Sequence, residues 1–301
     1  MPDHAAFLTP AAGAGLKLKK KSRAKEVWRR FKKNRTAMAG LFIFALIMLV
    51  VIFADMIVSH NTAISQKIRD RFISPGTQGH IFGTDNFGRD IMARIVHGSR
   101  NSLLVGLGAV ACGIMIGGLL GAAAGFYGGI TDSAIIRTMD TVMCIPLMLL
   151  VLSIVAALGA SLVNVLIAMM IANVPHYTRI VRAAVLSVVG QDYIEAAKAC
   201  GTPNSWIIIK HVIPNAIGPI IVQATTAVGI MIINAAGISF LGMGIQPPTP
   251  EWGAMLNEAK NYMINYPYTV IFPGLSIGLT ALSLNLMGDG LRDALDPKLK
   301  D

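Results

Sequence analysis

Six predominantly apolar runs, each about 20 residues long, divide this 301-residue chain at about 37–58, 103–124, 143–160, 162–180, 217–241 and 268–287. A run of that length, wound as a helix, crosses a hydrocarbon core. Inside such a core the backbone finds no water, so each run must satisfy its own N–H and C=O groups, and a helix does so. The runs are rich in Leu, Ile, Ala, Met and Gly, and the expected fold class is an all-α membrane protein with six transmembrane helices. Charged residues are 14% of the chain, and the runs are nearly free of them. That argues against a secondary transporter, which carries ionisable side chains within its spans as ion sites.

The position of the charge sets the expected orientation. Eleven of the 26 basic residues precede the first run: Lys17, Lys19, Lys20, Lys21, Arg23, Lys25, Arg29, Arg30, Lys32, Lys33 and Arg35. Basic residues flanking a first span stay in the cytoplasm, so the net charge of +10 points to anionic membrane lipids as the partner and not to nucleic acid. Six crossings return the C-terminus to the same side, together with the loop between the fourth and fifth runs. Inner segments then hold 19 basic residues against 7 outside. The chain divides into a basic arm with an amphipathic lead-in (1–36), a first span (37–58), an extracytoplasmic segment (59–101), a core with five further spans (102–287) and a cytoplasmic tail (288–301). The first 36 residues are too polar, and the run after them too long, for a cleavable signal. Cys112, Cys144 and Cys200 share no CxxC spacing and give neither a disulfide framework nor a metal site.

Between the fourth and fifth runs lies DYIEAAKACGTPNSWIIIKHVIP, residues 192–214. Asp192 with Glu195 fits a capping box, and Gly201 suits a left-handed helix stop. Thr202 is then expected to cap a second helix, with Pro203 in its first turn and Pro214 at its end. Glu195, Ala196 and Ala197 present a short helix with small side chains, able to enter a groove on another protein. This stretch resembles the EAA loop of ABC-importer permeases, and the resemblance implies a cytoplasmic coupling helix that docks on an ATPase subunit.

Other segments carry weaker signals. In 83–103, Ile91, Met92, Ile95 and Val96 form an apolar face opposite Arg89, Arg94 and Arg100, as in a surface helix with a solvated basic side. No strand or P-loop pattern supports a phosphate site there, and His60, His80 and His97 are too widely spaced for a compact metal motif. Gly113, Gly117, Gly121 and Gly125 recur every fourth residue, a small-residue face for close helix packing within the chain or with a partner. Pro146 is expected to kink the third span. His176 reads as an interfacial residue. Gln223, Thr226 and Asn234 are candidates for a substrate pathway, and equally for hydrogen bonds between helices. The prolines of 247–253 suggest an extended outer loop, with Trp252 at the membrane interface.

Four segments in order, Gly83-Thr84-Asp85 with Gly88-Arg89-Asp90, the Glu195 loop, 247–253 (PPTPEWG) and 289–297 (DGLRDALDP), resemble the C-type permease subunit of dipeptide/oligopeptide ABC importers. The likeness runs from about Trp28 to the end. It implies the type I importer permease fold and a heterodimer with a B-type permease. It also implies two ATP-binding subunits that use ATP and Mg²⁺, and an extracytoplasmic substrate-binding protein, all at a bacterial cell membrane. No catalytic residue, metal or cofactor is then expected in this chain, which has no GxxxxGK[ST] pattern. A same-family importer of nickel or another small solute is the alternative, and a membrane scaffold without transport is a further one.

Overall fold

The computed structural model describes residues 23–295. Lys17, Lys19, Lys20 and Lys21 of the basic arm, and Asp296 and Pro297 of the terminal segment, lie outside the described residues. A nine-residue helix α1 (Arg23–Phe31) leads to α2 (Arg35–Ile52), which Asn34 caps by accepting from the Ala37 amide at 3.1 Å. Two short helices, α3 (Ala54–Ile57) and α4 (His60–Ile64), begin the connection to α5 (Ile91–Tyr127). Then come α6 (Gly129–Met143), α7 (Leu147–Leu158), α8 (Leu162–Val189), α9 (Asp192–Ala199), α10 (Asn204–Ile207), α11 (Ile213–Phe240), α12 (Trp252–Ala259) and α13 (Tyr268–Leu295).

Each expected apolar run falls on a helix, but the spans differ in detail from the sequence reading. Among the described residues, α2, α5, the continuous stretch Asn204–Phe240 and α13 are long and apolar enough to cross a membrane. The pair α6–α7, bent by 83°, brings the number to five at most. The remaining expected span, 162–180, is the first part of α8, where Asn173, His176 and Arg179 dilute the apolar character. The expected kink at Pro146 is a complete break, with the proline ahead of α7 and not inside it.

The glycine face is an intrachain seam. Carbon atoms added at Gly113 or Gly117 would lie within 3 Å of Tyr177 side-chain atoms. At Gly121 an added carbon would lie 2.4 Å from the Thr178 carbonyl oxygen, and at Gly125 it would meet Val185 at 2.9 Å. α5 and α8 therefore pack backbone to backbone over four turns, the way membrane helices associate without a hydrophobic driving force. α13 uses small residues likewise: Gly288 faces Thr226 of α11, and Gly290 faces Ala37 of α2. Ile232 of α11, set against Gly106 of α5, joins the two groups.

At the end of the bundle that carries α12, the expected solvated basic face keeps only Arg100, which is partly exposed and donates to Asp55 Oδ2 at 2.8 Å. α5 starts at Ile91, so the proposed surface helix and the second span are one helix of 37 residues, about 55 Å long at 1.5 Å per residue. Arg89 and Arg94 are buried at 0% and 1% exposure. Asp85 Oδ2 accepts from Arg89 Nε at 2.7 Å and from Arg94 Nη1 at 2.6 Å. Glu258 Oε2, from α12, accepts from Arg89 Nη2 at 2.6 Å and Arg94 Nη1 at 2.7 Å. Two carboxylates thus close a square with two guanidiniums. The expected extended loop likewise contains α12, and Trp252 is buried instead of sitting at an interface, because its indole N–H donates to the Ile95 carbonyl at 3.1 Å. Glu251 caps α12 through the Gly253 and Ala254 amides and accepts from the Ser102 hydroxyl at 3.0 Å.

The seam generates a prediction. Gly121→Ala should cost about 1–3 kcal/mol by overpacking and lower the Tm of the purified chain in detergent. Gly118→Ala, where an added carbon meets nothing within 4 Å, should leave Tm unchanged or slightly raised. Equal melting of the two variants would exclude the close approach.

Candidate functional site

At the opposite end, α8 runs out into α9, the stretch that the sequence marks as a docking element. Local chemistry departs from the expected caps by one residue. Gln191, not Asp192, stands at the start of α9 and makes no side-chain bond there, so Asp192 and Glu195 form no capping box. Both carboxylates still sit in the first turn, where the positive end of the helix favours them. The stop is as expected: Gly201 has φ +74°. The Gly201 amide donates to the Lys198 carbonyl at 3.0 Å and the Thr202 amide to the Ala197 carbonyl at 3.2 Å. That pair of bonds is a Schellman termination, which needs a left-handed residue at this point.

Thr202 does not cap the second helix. Pro203 precedes α10, and α10 passes through one π-helical segment, Ile208–Val212, into α11. Pro214 accordingly does not end the segment. A proline has no amide for the carbonyl one turn back, and the wider π turn beside it absorbs that loss within a continuous helix.

What seats α9 is an apolar cluster separate from the main core. Ile194, Ile207 and Val212 are fully buried against Ala122 and Phe126 of α5 and Val181, Val185 and Val188 of α8. Ala197 is half-buried at the edge of this cluster, whereas Glu195, Ala196 and Gly201 are exposed. Tyr193, Trp206 and Ile209 also project outward, at 45%, 51% and 62% exposure. Lys210 covers the Trp206 ring at 4.4 Å, and Lys198 lies over Phe126 at 5.2 Å. The result is a convex knob with small and aromatic side chains outward and an isoleucine anchor beneath. Its anchors, Ile194 and Ile207, were not singled out in the sequence; their signal is an apolar residue on each side of the Gly201 turn.

The pathway candidates have different neighbours. Gln223 Nε2 of α11 lies 3.3 Å from His176 Nε2 of α8, an amide donating to an imidazole. Thr226 donates back to the Val222 and Gln223 carbonyls at 3.3 and 3.2 Å, and its methyl group faces Gly288 of α13. Asn234 is half-buried two turns further along α11. Among the described residues, no group of three or more His, Cys, Asp or Glu side chains has a metal-holding arrangement.

Residues 113–301 match the family model described as binding-protein-dependent transport system inner membrane component. Residues 22–75 match the N-terminal TM domain of oligopeptide transport permease C. The dipeptide transport system permease protein DppC of Alkalihalophilus pseudofirmus is 47% identical over 276 residues, 92% of this chain and 90% of that protein. The di/tripeptide transport system permease protein DppC of Pseudomonas aeruginosa is 42% identical, with 92% of this chain and 93% of that protein covered. The glutathione transport system permease protein GsiD of Pectobacterium atrosepticum is 43% identical, with 92% and 91% covered. Among solved structures, a chain of the MetNI methionine ABC transporter in an inward-facing conformation superposes with a TM-score of 0.57. That match covers 68% of this chain and 98% of the other at 17% identity, and is a likeness of fold.

If Ile194 anchors the knob, Ile194→Ala removes buried contacts worth about 2–5 kcal/mol. Amide hydrogen exchange should then accelerate across 192–199 but not across 147–158. Tyr193→Ala, on the exposed side, should leave both rates as they are. Unchanged exchange in the Ile194 variant would show that α9 is held by something else.

Proposed function

The chain belongs to the family of binding-protein-dependent transport system inner membrane components, and from that premise we propose that it is the C-type permease of an ATP-driven importer of di- or oligopeptides. It is a multi-span permease subunit of an ABC importer with the type I fold. Peptide cargo is favoured over nickel or another small solute because the relatives over nine-tenths of the chain are named for dipeptides, di/tripeptides and glutathione. In this reading the chain forms half of a translocation pathway and a B-type permease forms the other half. Two ATP-binding subunits hold ATP and Mg²⁺, and an extracytoplasmic binding protein delivers the cargo. The basic arm, the knob and the tail face the cytoplasm, in keeping with the basic residues before α2.

The observation that carries the proposal is the knob at α9. An element that passes on the motion of another protein needs a surface for that protein to grip and a stiff connection behind it. Glu195, Ala196, Ala197 and Gly201 supply the surface, since small side chains let a groove close around the helix. Ile194 and Ile207 supply the connection, because both are fully buried against the ends of α5 and α8. Closure of the ATPase pair then displaces α9, and α9 displaces the helices it is seated on. Gln223, Thr226 and Asn234 remain proposed pathway residues. Gln223 with His176 is the better placed, since a polar pair with one half-buried and one exposed member, set between two long helices, belongs beside protein or water and not lipid.

Ala197→Arg should abolish ATP-driven peptide uptake in reconstituted vesicles, by about two orders of magnitude if the groove cannot close, while the chain stays inserted in the membrane. Wild-type uptake by that variant would sink the coupling role. Purification of the tagged chain in mild detergent should bring with it a second permease and two ATPases.

A further inference from the structure

α6 runs for fifteen residues without burying one of them, and Ile130 in its first turn is 89% exposed. Two ion pairs tie it to α8. Arg182 donates through Nε and Nη2 to both carboxylate oxygens of Asp132, each at 2.5 Å. Arg179 Nη2 donates to Asp140 Oδ1 at 2.5 Å. Both arginines lie on the last turns of α8, the part that carries the α9 knob. The two ends of α6 are joints. At one end Gly128 and Gly129 have φ of +64° and +53°, and an added carbon at either meets nothing within 4 Å. Those glycines answer a need of the backbone and not a lack of space. At the other end the chain breaks by 83° before α7.

Resting on the importer reading above, we propose that α6 is a hinged latch of the transport cycle. Asp132 and Asp140 are its positioning residues, closing it on Arg182 and Arg179 in this conformation and releasing it when α8 and α9 are displaced. Three physical features combine in it. Partly exposed ion pairs contribute about 0–1 kcal/mol each, so they open at small cost. The bidentate Arg182–Asp132 pair gives the closed position a defined geometry when it re-forms. Hinge residues at element ends absorb the change in backbone angle. The glycine seam between α5 and α8 has none of these features, so α6 turns against that pair as against a fixed body and redirects the entry of α7.

The test uses the full complex in proteoliposomes. Asp132→Arg should leave ATP hydrolysis within about twofold of wild type and lower peptide uptake about tenfold or more, and the D132R/R182D double variant should recover uptake to within about threefold. Uptake at the wild-type rate in D132R overturns the latch, as does a double variant that assembles and hydrolyses ATP but does not recover uptake. If the single variant fails to assemble, the double variant decides in the same way. A second measurement needs no cargo: spin labels at S133C and L186C, with Cys112, Cys144 and Cys200 replaced by Ser, should report a longer α6–α8 distance in the ATP-bound complex than without nucleotide. An unchanged distance overturns the latch. Absence of uptake by the wild-type complex, with the distance change present, would instead count against the peptide assignment alone.

Discussion

Where α5 passes α8, four glycines one turn apart bring the two backbones into direct contact, and the rest of the molecule is built out from that seam. In lipid the apolar surface of a helix gains little from burial against another, so shape has to supply the attraction. Tyr177 and Thr178 of α8 fill the space left by the missing side chains. At the level of Gly121 and Gly125, the same two helices offer Ala122, Phe126, Val181 and Val185 to Ile194 and Ile207. The seat of α9 therefore exists because α5 and α8 are held in register above it. A shift along the seam would move every residue of the seat together.

At the other end electrostatics governs the packing. Four charged groups sit together at 11% side-chain exposure or less. Desolvating them is costly, and the cost is offset in part because each carboxylate bridges both guanidiniums and Asp85 also accepts the Phe87 and Arg89 amides at 2.8 and 3.0 Å, while Arg89 Nη1, Arg94 Nε and Nη2 and Glu258 Oε1 are buried without a partner. A buried cluster of this kind is weak evidence for stability, and in some proteins it serves to fix one arrangement. Here the arrangement it specifies is the docking of residues 83–94 onto α12, elements more than 150 residues apart in the chain. Gly88 belongs to the same arrangement: a side chain there would run into the Lys67 carbonyl at 1.8 Å.

The amino-acid sequence made the helices, the glycine face and the Gly201 stop legible, because each rests on a local property: apolar length, spacing along one helix, or a backbone angle. It misread Arg89 and Arg94, and the reason is physical. An arginine opposite an apolar stripe has the same local pattern whether water or a distant carboxylate receives it. Glu258 is that carboxylate, and it comes from a helix in a segment whose prolines read as extended. The caps around α9 failed for a smaller reason, since Gln191 and Pro203 displaced the helix starts by one residue and capping boxes do not survive such a shift. His176 and Gln223 each stand out in the sequence, but their pairing across two helices has no signature in either segment.

The two ends of the bundle thus differ in what it takes to move them. Opening the α12 end means separating buried charges from their partners, which costs about 3–5 kcal/mol for each uncompensated group. At the α9 end the seat is a small apolar cluster, and α6 is tied to α8 by ion pairs that are only partly buried. A machine that spends a fixed amount of free energy per cycle moves first where the resistance is least. On the proposed coupling role the gripping surface lies at that end, next to the π-helical turn before Pro214 and the break before α7. On that proposal, the buried charges at one end and the lightly held helices at the other turn a displacement of a short exposed helix into a change in the angles of the spans.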